Sequence, residues 1–215
     1  MLANSSEFNE LVGTFHSGSN LHYNRGEYII RPGEMQSAVY FIEFGIVKAF
    51  DITKYGEENL LIIRKENEIF PLIWAVTGQE RSVIYQALVP TSVWRLSREK
   101  YLEYLNKHTA SLAPLLDMTI EMYRIHSERI ITLEYRTIRE RLISFLLTMY
   151  QRFGHASDNG LLINVPLRKQ DIASSINASR ERTGNEINNL IRKKLISVDH
   201  FYMTIHDMET LKSYL

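Results

Sequence analysis

The segment ASRERTGNEINNLIR, residues 178–192, sets Arg180, Glu181, Arg182, Asn185, Asn188, Asn189 and Arg192 among few apolar residues. On a helix of 3.6 residues per turn, Thr183, Ile187, Leu190 and Ile191 fall on one narrow stripe, and the charged and amide side chains point away from it. Those polar groups match the hydrogen-bonding edges of base pairs. An arginine fork donates to guanine O6 and N7, a carboxylate accepts from cytosine N4, and asparagine pairs with adenine. Arg180, Glu181 and Asn185 are therefore candidate base readers. Lys169, Ser179, Arg182, Asn188 and Arg192 are candidate phosphate contacts, with Lys193 and Lys194 beside them. A solvated helix face is the plainer reading. Such faces usually carry Glu and Lys, however, and asparagine is a mediocre helix former. Gly184, in mid-helix, costs about 1 kcal/mol in helix propensity, so the sequence predicts that the helix packs closely there.

Elements on either side position this helix. A shorter helix is expected over roughly 168–176, with Ile172, Ala173 and Ile176 inward. Asn177-Ala178 makes the turn, since Asn tolerates the left-handed conformation. Ser179 is a good N-cap for the second helix. Upstream, TIRERLISFLLTMYQRF reads as a helix with Ile138, Leu142, Phe145, Leu146 and Met149 on one face and Gly154 as its C-cap. GHASDNG reads as a polar loop and LLINVP as a strand, and LISVD and FYMTIHD close the chain as two β-prone runs. Three helices with a terminal hairpin describe a winged helix-turn-helix.

The first half has a different texture. Gly26, Pro32-Gly33, Gly45, Tyr55-Gly56 and Gly78 punctuate the short β-prone runs YII, AVYFIEF, IVKAFDI, NLLIIR, SVIYQAL and SVWRLS. That spacing predicts an antiparallel sandwich or barrel over about 14–98. SREKYLEYLNKH then reads as a short helix, and a long one runs from about Ala110 to Tyr135. Along it Leu112, Leu116, Thr119, Met122, Tyr123, His126, Ile130 and Leu133 recur at three-four spacing, as in a dimer seam. The alternative is a long helix packed on its own domain.

Composition narrows the class. The chain has 215 residues, 45% hydrophobic, with no cysteine and a formal charge of zero. Disulfides, thiol chemistry and cysteine-ligated metals are excluded. Residues 1–137 carry 14 Lys and Arg against 17 Asp and Glu, and residues 138–215 carry 11 against 8. The positive bias of the second segment permits a nucleic-acid partner. The N-terminus, MLANSSEFNE, lacks the basic and apolar regions of a signal peptide, and no apolar run approaches the roughly 18 residues of a span. The expected location is the cytoplasm. A cupin-type enzyme would need clustered metal ligands, yet the β region has only His16 and His22. No catalytic or metal-ligating set is expected.

Three stretches, in order, resemble the Crp/Fnr family of bacterial transcription regulators. QDIASSINASRERTGNEINNLIRKKLIS looks like its helix-turn-helix, IIRPGEMQSAVYFIEFGIVKAFDITKYGEENLL like its double-stranded β-roll, and TIRERLISFLL like the joining segment. The resemblance implies an α+β chain: a β-roll sensor over 1–109 related to cyclic-nucleotide-binding jelly rolls, a dimerisation helix over 110–137, and a winged helix-turn-helix over 138–215. It implies a homodimer on a pseudo-palindromic duplex, with Arg180-Glu181 contacting a half-site and RNA polymerase a further partner. Asn185 stands where an arginine is frequent in the family. The alternative is a small-molecule sensor whose winged helix contacts protein instead of DNA.

In relatives that bind cyclic AMP, a Gly-Glu pair holds the ribose and an Arg-Ser pair the phosphate. Here Arg81-Ser82 matches the second pair, but Phe70-Pro71 stands at the first. Proline has no N–H to donate and neither residue has a carboxylate. The expectation is no cyclic AMP and, in the same region, another small anionic effector, with Phe70, Arg81, Ser82, His126 and Ser127 as candidate pocket residues. Arg81 has a second reading, as an ion-pair partner of Glu80 or Glu68.

Overall fold

The computed structural model describes residues 5–135 and 137–215; Met1–Asn4 of the N-terminal stretch and Arg136 of the 110–137 segment lie outside the described residues. Along the chain come α1 (Ser5–Phe15), β1 (Ser19–Tyr23), β2 (Tyr28–Ile30), β3 (Val39–Phe44), β4 (Val47–Ile52), β5 (Glu58–Arg64) and β6 (Ile69–Phe70). Then follow α2 (Leu72–Thr77), β7 (Ile84–Ala87), β8 (Thr91–Leu96), α3 (Arg98–Lys107), a 3-10 turn (Thr109–Ser111) and α4 (Leu112–Glu134). The remainder is α5 (Ile138–Phe153), β9 (Gly154–Ser157), β10 (Gly160–Ile163), α6 (Lys169–Ser175), α7 (Arg180–Arg192), β11 (Ile196–Asp199), β12 (Tyr202–Ile205) and α8 (Met208–Lys212). Two compact units result: residues up to Asp51 with Leu61–Tyr123, and Ile52–Leu60 with Arg124–Leu215.

Two four-stranded sheets run in the orders β1-β8-β3-β6 and β2-β7-β4-β5, and belong to the first unit except for Ile52 at the end of β4 and Glu58–Leu60 at the start of β5. The register pairs Ser19 with Arg95, Val39 with Leu96, and Val47 with Ala87, all antiparallel. The glycines at the five predicted turns all have positive φ. Gly45 also approaches backbone, since a Cβ there would lie 2.8 Å from Thr91 Cα. α1 packs into this unit through Leu11 and Phe15, both 0% exposed, with the Phe15 ring 5.7 Å from Phe41 and 5.8 Å from Tyr101. Burying each such side chain stabilises by about 1.5–3 kcal/mol. Ser97 caps α3 by accepting from the Lys100 N–H.

In the second unit, a sheet in the order β11-β12-β10-β9 flanks α5, α6 and α7. α5 opens on a capping box between Thr137 and Glu140. Its Leu142, Ile143 and Leu146 are fully buried with Ile163, Ile172, Ile176, Leu190 and Ile205. Gly154 is the C-cap of α5, as expected, and its backbone is extended. Glycine is needed there because a Cβ would meet the Tyr150 ring at 2.1 Å. The loop expected after it begins instead as β9, paired with β10 through Ala156 and Leu161. The terminal hairpin β11–β12 turns at His200 and Phe201, both at positive φ, and α8 follows it.

Candidate nucleic-acid interface

The interface is built from the start of α6. The buried Asp171 carboxylate accepts the Arg168 backbone N–H at 3.1 Å and two bonds from its guanidinium, from Nε at 3.0 Å and Nη2 at 3.2 Å. That hydrogen-bonded pairing raises the guanidinium pKa further above its ordinary value. α6 then buries Ile172, Ala173 and Ile176. At the turn, Asn177 is left-handed with φ 49°, and Ala178 N–H closes it onto the Ala173 carbonyl at 3.0 Å. The Arg141 guanidinium on α5 donates to the Ile176 carbonyl at 2.8 Å and fixes the turn from below.

Ser179 then caps α7, its Oγ accepting from the Arg182 N–H at 3.2 Å. Thr183, Ile187 and Leu190 are buried, while Arg180, Glu181, Arg182, Asn185, Asn188 and Arg192 are all exposed on the other faces. Ile191, expected in the buried stripe, is 37% exposed. Lys169 and Ser179 are exposed too, so α6 and α7 bring every predicted base and phosphate contact onto the surface of one helix pair. Arg139 on α5 donates to Glu186 at 3.0 Å, and Glu186 accepts from Asn189 at 3.2 Å, so the back of α7 is tied to α5. Asn189 in turn accepts from Arg192. Gly184 does not sit in a tight contact. A Cβ there meets only the Lys169 side chain, at 3.7 Å or more, which is ordinary van der Waals distance.

Arg168 and Asp171 are not among the candidate residues read from the sequence. The spacing of Arg168 and Asp171, three apart at a helix start, was a usable signal. Arg129 on α4 donates to the Leu60 carbonyl at 2.6 Å, Asn59 Oδ1 at 3.3 Å and the Ser174 carbonyl at 3.3 Å, and burial lowers its pKa.

The predicted seam lies on α4. Leu112, Leu116, Tyr123, Ile130 and Leu133 are between 40% and 75% exposed, Thr119 and His126 are exposed, and Met122 is half-buried. Ile120 and Ile131 extend this apolar line, while Leu115 and Ile125 of the same helix are buried.

The predicted effector residues are divided. Phe70, Arg81 and Ser82 belong to the first unit, and His126 and Ser127, on α4, to the second. Phe70 is 0% exposed, stacked 5.3 Å from Tyr40 and 4.6 Å from Tyr85. Arg81 and Ser82 are exposed, and the Arg81 carbonyl accepts from buried Gln36 at 3.1 Å. The two acids expected to pair with Arg81 have other partners. Glu80 accepts from Trp74 Nε1 at 3.0 Å, and Glu68 faces Arg64 at 3.5 Å. Arg64 and Glu68 are themselves nearly buried, with Arg64 also reaching the Met122 sulfur at 3.4 Å. Burial pushes the Tyr85 hydroxyl pKa up, partly offset by Arg64.

Among the described residues no helix is long and apolar enough to cross a membrane. Residues 20–108 match the model of the cyclic nucleotide-binding domain, and residues 140–214 that of the Crp-like helix-turn-helix domain. The residues at the ribose end do not fit a cyclic nucleotide held by a Gly-Glu pair, because Phe70 fills core space and Pro71 has no N–H. The chain is 30% identical to the global nitrogen regulator of Nostoc sp. over 88% of its own length and 86% of that relative's. It is 20% identical to the fumarate and nitrate reduction regulatory protein of Vibrio cholerae, over 84% and 72% of the two chains. In fold it is similar to FixK2 from Bradyrhizobium japonicum, with a TM-score of 0.76 at 19% identity over 91% and 96% of the two chains. A CooA mutant from Carboxydothermus hydrogenoformans gives 0.75 at 16% identity over 94% and 89%. With a helix pair of this geometry and a relative alike over most of its length, the chain belongs to the Crp/Fnr family of transcription regulators.

Proposed function

We propose that this regulator binds a pseudo-palindromic duplex as a homodimer, with α4 as the dimer seam and α7 in the major groove. Arg180, Glu181 and Asn185 read base edges. Lys169, Ser179, Arg182, Asn188 and Arg192 hold phosphates and set the register. Residues 1–109 act as the sensor, 110–137 as the dimer helix and 138–215 as the DNA-binding part. The sensor takes a small anionic effector other than cyclic AMP, and the bound dimer meets RNA polymerase. The likeness to the global nitrogen regulator of Nostoc sp. makes nitrogen-responsive transcription the first physiological class to test.

One observation carries the reading: α7 buries Thr183, Ile187 and Leu190 and leaves its charged and amide side chains exposed from the first turn onward. The apolar line on α4 supports the dimer. Selection of bound duplexes from a random pool, with and without a metabolite mixture, tests it. The expected product is a two-fold symmetric site whose half-sites lie about 10 base pairs apart. Recovery of asymmetric single sites would overturn the homodimer, and recovery of no sequence at low salt would overturn base reading.

A further inference from the structure

Residues 52–60, the turn between β4 and the start of β5, belong to the second compact unit although the residues on either side belong to the first. Three sets of bonds hold them there. Glu58 Oε2 accepts from Arg168 Nη2 at 2.9 Å. The Leu60 N–H donates to Ser174 Oγ at 3.2 Å. Arg129 bonds both Leu60 and Asn59 while also reaching the Ser174 carbonyl. The same turn helps to line a cleft of about 600 Å³, with Glu57 and Glu58 among its walls beside Ser179, Arg180 and Arg182. Two adjacent carboxylates therefore stand at the N-terminal ends of α6 and α7.

Those helix starts are also where the proposed phosphate contacts Lys169, Ser179 and Arg182 lie. Arg168 is aimed from the same place. Asp171, 2% exposed, grips its Nε and Nη2 and fixes the plane of the fork. Glu58 takes a further bond from Nη2, and its side chain is one-third exposed. A carboxylate oxygen and a phosphate oxygen make the same charge-assisted bond to a guanidinium.

We propose that the 52–60 turn is a built-in competitor for the DNA backbone: Glu58 occupies Arg168 when no duplex is bound, and a duplex phosphate displaces it. The proposal rests on the DNA-binding reading and adds Arg168 to the phosphate contacts. The Leu60–Ser174 and Arg129 bonds do not involve the Glu58 carboxylate and anchor the turn independently of it. Asp171 acts as the positioning residue that keeps the guanidinium presented during the exchange. Since the pair is partly exposed, its release weakens duplex binding by a modest factor.

The test uses the full chain and a duplex recovered by random-pool selection, titrated across a salt series. Glu58→Gln is expected to bind about two- to fivefold more tightly than the parent. Arg168→Gln is expected to bind more weakly, with the slope of log affinity against log salt shallower by about one. Adding Glu58→Gln to Arg168→Gln should give no further gain. Glu57→Gln removes an equal charge from the neighbouring residue and controls for general repulsion. Urea unfolding confirms that each variant is folded. A gain in Glu58→Gln that Arg168→Gln abolishes and Glu57→Gln does not reproduce supports the exchange. Recovery of duplex by Glu58→Gln alone supports it too. Equal or weaker binding by folded Glu58→Gln overturns it, as does a gain that survives in the double variant or is matched by Glu57→Gln. In those cases, loss of site-specific binding in Arg180→Ala shows that the DNA reading still stands. If neither the parent nor Glu58→Gln recovers any duplex, the DNA reading fails and the competitor falls with it.

Discussion

The opening turn of α7 and the segment 64–82 contain similar side chains in opposite dispositions. On α7, Arg180 and Glu181 point outward while Thr183, Ile187 and Leu190 hold the core. In the first unit, Arg64 and Glu68 pair nearly out of reach of water, Phe70 is sealed between two tyrosine rings, and Arg81 is exposed. The difference separates two kinds of site. The outer face of a capped helix can change residue by residue without disturbing the residues that fold it. A pocket inside a β-roll shares its walls with the core, so each change in chemistry there is also a change in packing.

The sharpest way to break this comparison is Phe70→Ala. If Phe70 is core, deleting a fully buried, doubly stacked ring costs about 3–5 kcal/mol of stability. Urea unfolding measures it. A loss below about 0.5 kcal/mol, within the range of surface substitutions, would mean that the ring is not structural and that the segment is an open pocket after all.

Arg180→Ala is the complementary probe and the next in size. It should leave unfolding unchanged while weakening a selected duplex by about 1–3 kcal/mol, with the loss confined to one base pair of each half-site. A uniform loss across all sequences would instead make Arg180 a phosphate contact. Arg81→Ala, on the exposed flank of the first unit, should change neither stability nor duplex affinity without effector.

The contrast also explains what the sequence could and could not disclose. The helix-turn-helix is legible because its determinants are local: Asn177 for the left-handed turn, Ser179 for the cap, and Ile172, Ile176 and Ile187 at helical spacing. The β-roll strands are legible from glycine turns and β-branched runs. α1 is not among the elements expected from the sequence, although Phe8, Leu11, Val12 and Phe15 show helical spacing. β1 is a half-exposed edge strand with little pattern, and β9, made of Gly, His, Ala and Ser, is a strand only because β10 pairs with it. Glu58 and Arg168 are 110 residues apart, and nothing at either position announces the other.

Ser179→Ala sharpens the comparison at the helix start. Losing the bond that Ser179 Oγ accepts from the Arg182 N–H should cost about 1 kcal/mol of stability and should also weaken duplex binding, since the first turn of α7 carries Arg180 and Glu181. Glycine at the same position should restore most of the stability, because Gly is tolerated at N-caps, without restoring a phosphate contact through the hydroxyl. Recovery of both properties together would show that Ser179 acts on DNA only by holding the helix.

The smallest effect belongs to Gly184→Ala, and it runs in the opposite direction. The residue is helical, not among the positive-φ glycines, and an added Cβ meets only the Lys169 side chain at 3.7 Å. Alanine should therefore stabilise α7 by about 0.5–1 kcal/mol through helix propensity. Lys169, whose Cδ, Cε and Nζ lie over that position, has a flexible stem and can shift without strain. Duplex affinity should thus stay within about twofold, a change smaller than a typical lost phosphate contact. A destabilisation in urea would mean that α7 does need close approach at Gly184. A gain in stability with a large loss of binding would place Lys169 more deeply in the interface than its exposed position on α6 indicates.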